Sequence, residues 1–204
     1  MGTQHNESPT LFIPERSRQE WGIALLLFVL SVGYLWPFLD FSALFIDEGI
    51  ILQGAQRILK GEVPYRDFFS FYTPGSYYWL AVRFKLIGNS FLVARAPLAI
   101  YGGLFSLITY LLARRICGRW MAILSAYLFL VIGLPYMFVV LHNWDSSVLA
   151  YIALYAAVRF VETRAKGWAF ATGTLAGLTC LFVKSRGAGL VFGHIFVNKG
   201  RRRR

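Results

Sequence analysis

Charge is what this 204-residue chain has least of. Lys, Arg, Asp and Glu make up 15% of it, against about 25% in an ordinary soluble domain, and that shortfall excludes a soluble globular fold. Acidic residues are the scarcer sign, 10 against 21 basic ones. The net charge of +11 nevertheless does not point to nucleic acid, because the positives sit in short clusters between apolar runs, as topology signals do. Cysteine is nearly absent. Cys117 and Cys180 show neither metal-ligand spacing nor a disulfide framework and read as small buried hydrophobes. No small-x-small cleavage site follows the first apolar run, which is longer than a signal-peptide core and reads as a signal anchor. No repeat of fixed period is visible. A glycine-rich phosphate loop is also missing, so a nucleotide has no evident seat.

What remains is apolar and aromatic. Hydrophobic residues are 57% of the chain, with 18 Phe, 11 Tyr and 6 Trp, and the mean hydropathy is +0.54. Several uncharged runs approach the length that crosses a bilayer, so the expected class is an all-α, polytopic transmembrane protein. Residues 1–20 read as a cytoplasmic tail, with Arg16 and Arg18 before the first span. Spans are expected at about 21–39, 96–113, 120–141, 146–161 and 167–183, with 187–198 short for a clean crossing. Together these make a transmembrane domain over 21–198 and a basic tail over 199–204. The arginines at 114, 115, 119, 159 and 164 mark the cytoplasmic side by the positive-inside bias. That leaves the 40–91 insert and the turns at 142–145 and 184–186 outside. The expected location is a bacterial or archaeal plasma membrane, with the N-terminus in the cytoplasm.

The 40–91 insert is the polar interval of the chain. Residues 48–60 carry apolar positions at helical spacing and predict an amphipathic helix, with Asp47 as cap and Gly61 just past its end. Residues 76–86 are aromatic, too short to span, and predict a second interfacial helix. Three outer features carry candidate chemistry. Adjacent Asp47 and Glu48 lie roughly 100° apart on a helix, so one suits a general base or a metal ligand while the other caps; the plain alternative is a surface helix start favoured by the dipole. Asp145, beside His142 and Asn143, falls at the same membrane depth as Asp47, which would let the two share a divalent metal, or it simply caps the next helix. Lys184 and Arg186 oppose the positive-inside bias and suit a lipid phosphate, with Arg66 and Arg83 able to do the same from the insert. Snorkelling at a helix end explains them equally. Outer acids, outer cations and an amphipathic cover together fit group transfer from a polyprenyl-phosphate carrier.

Asp47-Glu48-Gly49, Ala55-x-x-Ile58-Leu59-x-Gly61-Glu62-x-Pro64-Tyr65-Arg66-Asp67-Phe68 and Thr73-Pro74-Gly75-x-x-Tyr78 resemble the first outer loop of GT-C fold glycosyltransferases. The nearest group is the bacterial glycosyltransferase 39, Rgt-like membrane proteins, akin to protein mannosyltransferases and lipid A aminoarabinose transferases. Arg95, Arg114-Arg115, Asn143-x-Asp145 and Gly173-x-x-x-Gly177-Leu178-x-x-x-Phe182-x-Lys184 extend the resemblance over roughly residues 20–195. It implies Asp47 as the catalytic acid position, Glu48 as its companion, Asp145 as the second outer acid and Lys184 as a phosphate-side residue. His142, Asn143 and Tyr78 are supporting candidates. The implied donor is a polyprenyl-phosphate-linked sugar, and the implied acceptor a glycan, lipid or protein at the outer face. A divalent metal is used by some members. Thr73-Pro74-Gly75 stands where other members carry a Lys-Pro-Pro-like motif. Members usually continue for several more spans, so the resemblance implies the N-terminal part of a GT-C module. A non-catalytic scaffold or remnant, and a small transporter or flippase subunit, stay open as other readings.

Overall fold

A computed structural model describes residues 18–40, 46–133, 135 and 138–201. The expectations for residues 1–17, 41–45 and 202–204 lie outside the described residues. Among the described residues the chain is helical, without a β-sheet. The first helix, α1, spans Arg18–Leu35 and continues as a 3-10 turn over Trp36–Asp40. Then come α2 at Ile46–Leu59, α3 at Gly75–Ile87, α4 at Phe91–Ala113, α5 at Arg119–Gly133, α6 at His142–Thr163, α7 at Lys166–Phe182 and α8 at Lys184–Arg201. Three segments are long and apolar enough to cross a membrane: Arg18–Asp40, Phe91–Ala113 and His142–Thr163. As helices the second and third reach about 33–35 Å, at 1.5 Å per residue.

The α1 and α4 helices pack antiparallel. Glu20 near the start of α1 meets Arg114 just past α4, while Leu39 after α1 accepts from Arg95 near the start of α4. Small and hydroxylated residues make the close approach feasible, as in membrane helix pairs generally. Ser31 donates to Ser106 at 2.8 Å across the interface. A Cβ on Gly103 would stand 2.7 Å from the Phe28 ring and 2.9 Å from Val32. The outward faces carry Leu25, Leu26, Val29 and Leu30 of α1, Leu124 and Leu128 of α5, and Leu178 and Leu181 of α7. Apolar outside and small or polar inside is the pattern of a bundle whose solvent is hydrocarbon.

Charged side chains gather at two opposite ends of this bundle. At one end Glu20 pairs with Arg114 and Arg119 and accepts from Tyr110. Beside them Glu162 pairs with Arg115 and Arg159. The other end carries α2, α3, the start of α4, the start of α6 and the α7–α8 junction.

Helix bounds depart from the sequence reading in instructive places. The α2 helix begins at Ile46, so Asp47 sits within the first turn instead of capping it. Gly61 follows with φ of 90°, as a residue just past a helix end requires. The interfacial helix expected at 76–86 is α3, ended by Gly88 at φ 129°. The α4 helix starts at Phe91, with Ser90 accepting from the Val93 amide, and Arg95 therefore lies inside it. The run expected to span 120–141 is helical only to Gly133. Pro135 stands two residues beyond this end, and a proline disfavours the continuation of an α-helix through it. Phe138, Val139, Val140 and Leu141 then return as buried, non-helical chain. The short 187–198 run belongs to α8, which is not among the apolar membrane-length helices.

Filling the α1–α4 contact is expected to push these helices apart. Gly103→Leu should lower stability by about 1–3 kcal/mol, the usual cost of overpacking, read as a lower thermal midpoint in detergent. Gly173→Ala, where a Cβ would meet nothing within 4 Å, should leave that midpoint unchanged.

Candidate active site

The α2 helix is carried into position by its second acid. Glu48 is 2% exposed and Arg95 is 4% exposed. Arg95 donates through Nε at 2.9 Å to Glu48 Oε1 and through Nη2 at 2.6 Å to Oε2. This two-pronged geometry is the strongest an arginine and a carboxylate make. The Val140 amide adds a third bond to Glu48 Oε1 at 3.0 Å, from the non-helical chain before α6. Glu48 thus faces inward and is fully engaged. Its neighbour Asp47, one residue round the helix, is exposed.

Asp47 Oδ1 accepts from the Tyr72 hydroxyl at 2.9 Å. The Tyr72 ring lies against His142, with centroids 4.2 Å apart and planes inclined by 31°. The linker that supplies Tyr72 is well anchored. Arg57 of α2 pairs with Glu62 at 2.5 Å, donates to the Asp67 carbonyl and lies 4.5 Å over the Phe68 ring. Asp67 accepts from the Val63 amide at 2.7 Å. Thr73 donates to the Phe182 carbonyl, and a Cβ on Gly75 would come 2.5 Å from the Leu181 carbonyl oxygen. Linker, α6 and the α7–α8 junction so enclose an open cleft of about 470 Å³. Its walls are Tyr65, Ser70, Phe71, Tyr72, Thr73, His142, Phe182, Val183, Lys184 and Ser185. Burial and the adjacent Asp47 carboxylate push the Tyr72 hydroxyl up to about 12. It therefore stays protonated, and remains a donor, across the physiological range.

The other candidates divide between this cleft and separate duties. Lys184 is exposed, lines the cleft and makes no ion pair among the described residues. Arg186 points Nη1 at the Asn143 carbonyl and the Ser146 and Ser147 hydroxyls, at 2.6–2.7 Å, and fastens α8 to the start of α6. Asn143 takes part through its backbone carbonyl. Arg66 is exposed and paired with Asp67 through two bonds. The same pairing, helped by the Val63 amide, holds the Asp67 carboxyl down at about 2. Arg83 is buried within α3, donates to the Ala94 carbonyl at 3.2 Å and lies 5.5 Å over Trp79. Burial draws its guanidinium below the usual arginine value. Tyr78 is exposed on α3.

Asp145 has different hydrogen-bond partners from Asp47. It sits in the first turn of α6, 7% exposed. Its Oδ2 accepts from Ser76 of α3 and its Oδ1 from Tyr101 of α4, both at 2.8 Å. Each Asp145 oxygen thus has one hydroxyl partner, while Asp47 Oδ1 has Tyr72. Among the described residues no group of three or more His, Cys, Asp and Glu side chains gathers for a metal. Tyr72, Ser76 and Tyr101 are the partners that sequence reasoning missed. Tyr72 lies in an aromatic run, Phe68 to Tyr72, where no periodicity shows which ring faces an acid.

The family described as dolichyl-phosphate-mannose-protein mannosyltransferase matches residues 72–202, more than half of the chain. The chain belongs to this family. No curated protein and no solved structure matches it. The family match begins at Tyr72 and contains Asp145 and Lys184, while Asp47 and Glu48 precede it. The family is thus one of membrane glycosyltransferases, and membrane-length apolar helices agree with it.

The buried and exposed ion pairs should respond differently to loss of one partner. Arg95→Met leaves the Glu48 carboxylate buried and unpaired, and is expected to cost about 3–5 kcal/mol. Arg66→Met should leave the thermal midpoint unchanged, as exposed pairs contribute little. Parallel thermal unfolding of both variants in detergent checks this.

Proposed function

We propose that the chain transfers a sugar from a polyprenyl-phosphate-linked donor to an acceptor hydroxyl, in the cleft beside Asp47. The observation that supports this reading is an open cleft of a glycosyltransferase-family protein, lined by Tyr72, His142 and a cation, Lys184, that has no ion-pair partner among the described residues, with Asp47 bonded to the Tyr72 hydroxyl at its edge. Asp47, Tyr72, His142 and Lys184 come from α2, the linker, α6 and α8. By this reading the cleft faces the outer side of the plasma membrane, and the arginine end of the bundle faces the cytoplasm.

The chemistry needs two charges at opposite ends of the reacting bond. Asp47 accepts the proton of the acceptor hydroxyl as its oxygen attacks the anomeric carbon. The bond from that carbon to the phosphate oxygen breaks, and its electron pair leaves with the polyprenyl phosphate. Lys184 stabilises the charge on that phosphate. Arg66, Arg83 and Arg186 are engaged with Asp67, Ala94 and the start of α6, so Lys184 is the cation assigned to this role. Glu48 and Asp145 then hold the scaffold: one fixes α2 on α4, the other ties α3 and α4 to α6.

The test is transfer from a panel of polyprenyl-phosphate-linked hexoses and pentoses by membranes containing the protein. Asp47→Asn should reduce transfer at least 100-fold, within the range expected for a catalytic base. Lys184→Met should reduce it less, about tenfold. Equal transfer by wild type and Asp47→Asn contradicts the role of Asp47.

A further inference from the structure

We infer that Tyr72 is the positioning residue of the Asp47 base: its hydroxyl, stationed by contacts to its backbone and ring, sets the direction of the carboxylate lone pair that takes the acceptor proton. This rests on the reading of Asp47 as base and adds to it a residue with no acid–base role of its own.

Both the backbone and the ring of Tyr72 are held. Its carbonyl accepts from the Tyr65 hydroxyl at 2.5 Å. Its amide donates to Ser70 Oγ at 3.1 Å, and Ser70 in turn meets the Tyr77 hydroxyl at 2.8 Å. Tyr77 is 1% exposed in the core, so the clamp is anchored in rigid packing. The ring rests on His142 at the start of α6. Only the hydroxyl is left to point outward from this frame, and it meets Asp47 Oδ1 at 2.9 Å.

The arrangement matters because Asp47 is exposed on its helix. An exposed carboxylate is free to rotate about its side-chain torsions and to turn both oxygens to water. A fixed donor on Oδ1 selects one rotamer and leaves Oδ2 as the oxygen available to a substrate hydroxyl. Preorganisation of this kind lowers the barrier without adding binding to the ground state. Because the donor stays protonated to well above neutral pH, the selection does not switch within the working range. The linker that bears Tyr72 is itself bonded through Thr73 to the α7–α8 junction that bears Lys184. The base and the phosphate-side cation therefore share one frame.

The experiment measures kcat and donor KM on membranes for wild type, Tyr72→Phe, Asp47→Glu and the double variant, using whichever polyprenyl-phosphate-linked sugar of the panel the wild type transfers fastest. Tyr72→Phe keeps the ring on His142 and removes only the hydroxyl. It should lower kcat by about tenfold or more, the scale of one hydrogen bond to a charged group. Donor KM should stay within about twofold, the pattern of an interaction used in the transition state. In the Asp47→Glu background, where the carboxylate is already displaced, the same change should cause no further loss. Tyr127→Phe, on the outward face of α5, is the control with unchanged kcat. An unaltered kcat in Tyr72→Phe overturns the inference while leaving Asp47 as base. So does a change confined to KM, or losses that multiply in the double variant. If the wild type transfers from no donor of the panel, the proposed function fails and this inference with it.

Discussion

Glu48 on α2 and Arg95 on α4 are both almost fully buried, and each is satisfied chiefly by the other. Such a pair adds little net stability, because desolvation of two ions offsets most of their attraction. Its effect is directional. A buried carboxylate tolerates one partner in one geometry, so α2 can dock on the bundle only with Glu48 inward. Asp47, the next residue, is then turned to the outside, where the linker brings Tyr72. The Val140 amide completes the coordination and ties the non-helical chain before α6 to the same point. Three segments distant in sequence are thereby registered against one carboxylate.

The bundle separates its polar work by end. At the arginine end, Glu20 and Glu162 each gather two arginines, a construction that joins helix termini. At the other end the acids are used one at a time, each with a different partner. Glu48 holds a helix, Asp145 collects hydroxyls from α3 and α4, and Asp47 is left exposed beside Tyr72. Chemical identity does not distinguish these three carboxylates; burial and partners do. The same holds for the cations, where Lys184 alone among Arg66, Arg83, Lys184 and Arg186 lacks a bonded partner within the described residues.

Much of the architecture was legible in the sequence because it follows from local rules. Apolar spacing over 48–60 marked α2 to within two residues, Gly61 marked its end, and the aromatic run 76–86 marked α3. The spans expected first, second and fourth coincide with the three helices long and apolar enough to cross a membrane. The third was overestimated because hydropathy does not register what Pro135 does to the backbone. The site was less legible because its decisive contacts are long-range. Glu48 and Arg95 are 47 residues apart, and Asp145 and Ser76 are 69 apart. Two neighbouring acids at a helix start look alike until packing chooses which is buried. The expectation that Asp47 and Asp145 share a site rested on equal membrane depth, and depth does not reveal their hydroxyl partners, Tyr72 for the first and Ser76 with Tyr101 for the second.

The measurement that bears most directly on this account is hydrogen exchange along α2 and the 63–73 linker, compared between wild type and Glu48→Gln in detergent. If the buried pair registers the site, Glu48→Gln releases protection in α2 and in the linker together, while α7 keeps its wild-type exchange. Unchanged protection of α2 in Glu48→Gln would contradict it, because α2 would then be held in place without the pair.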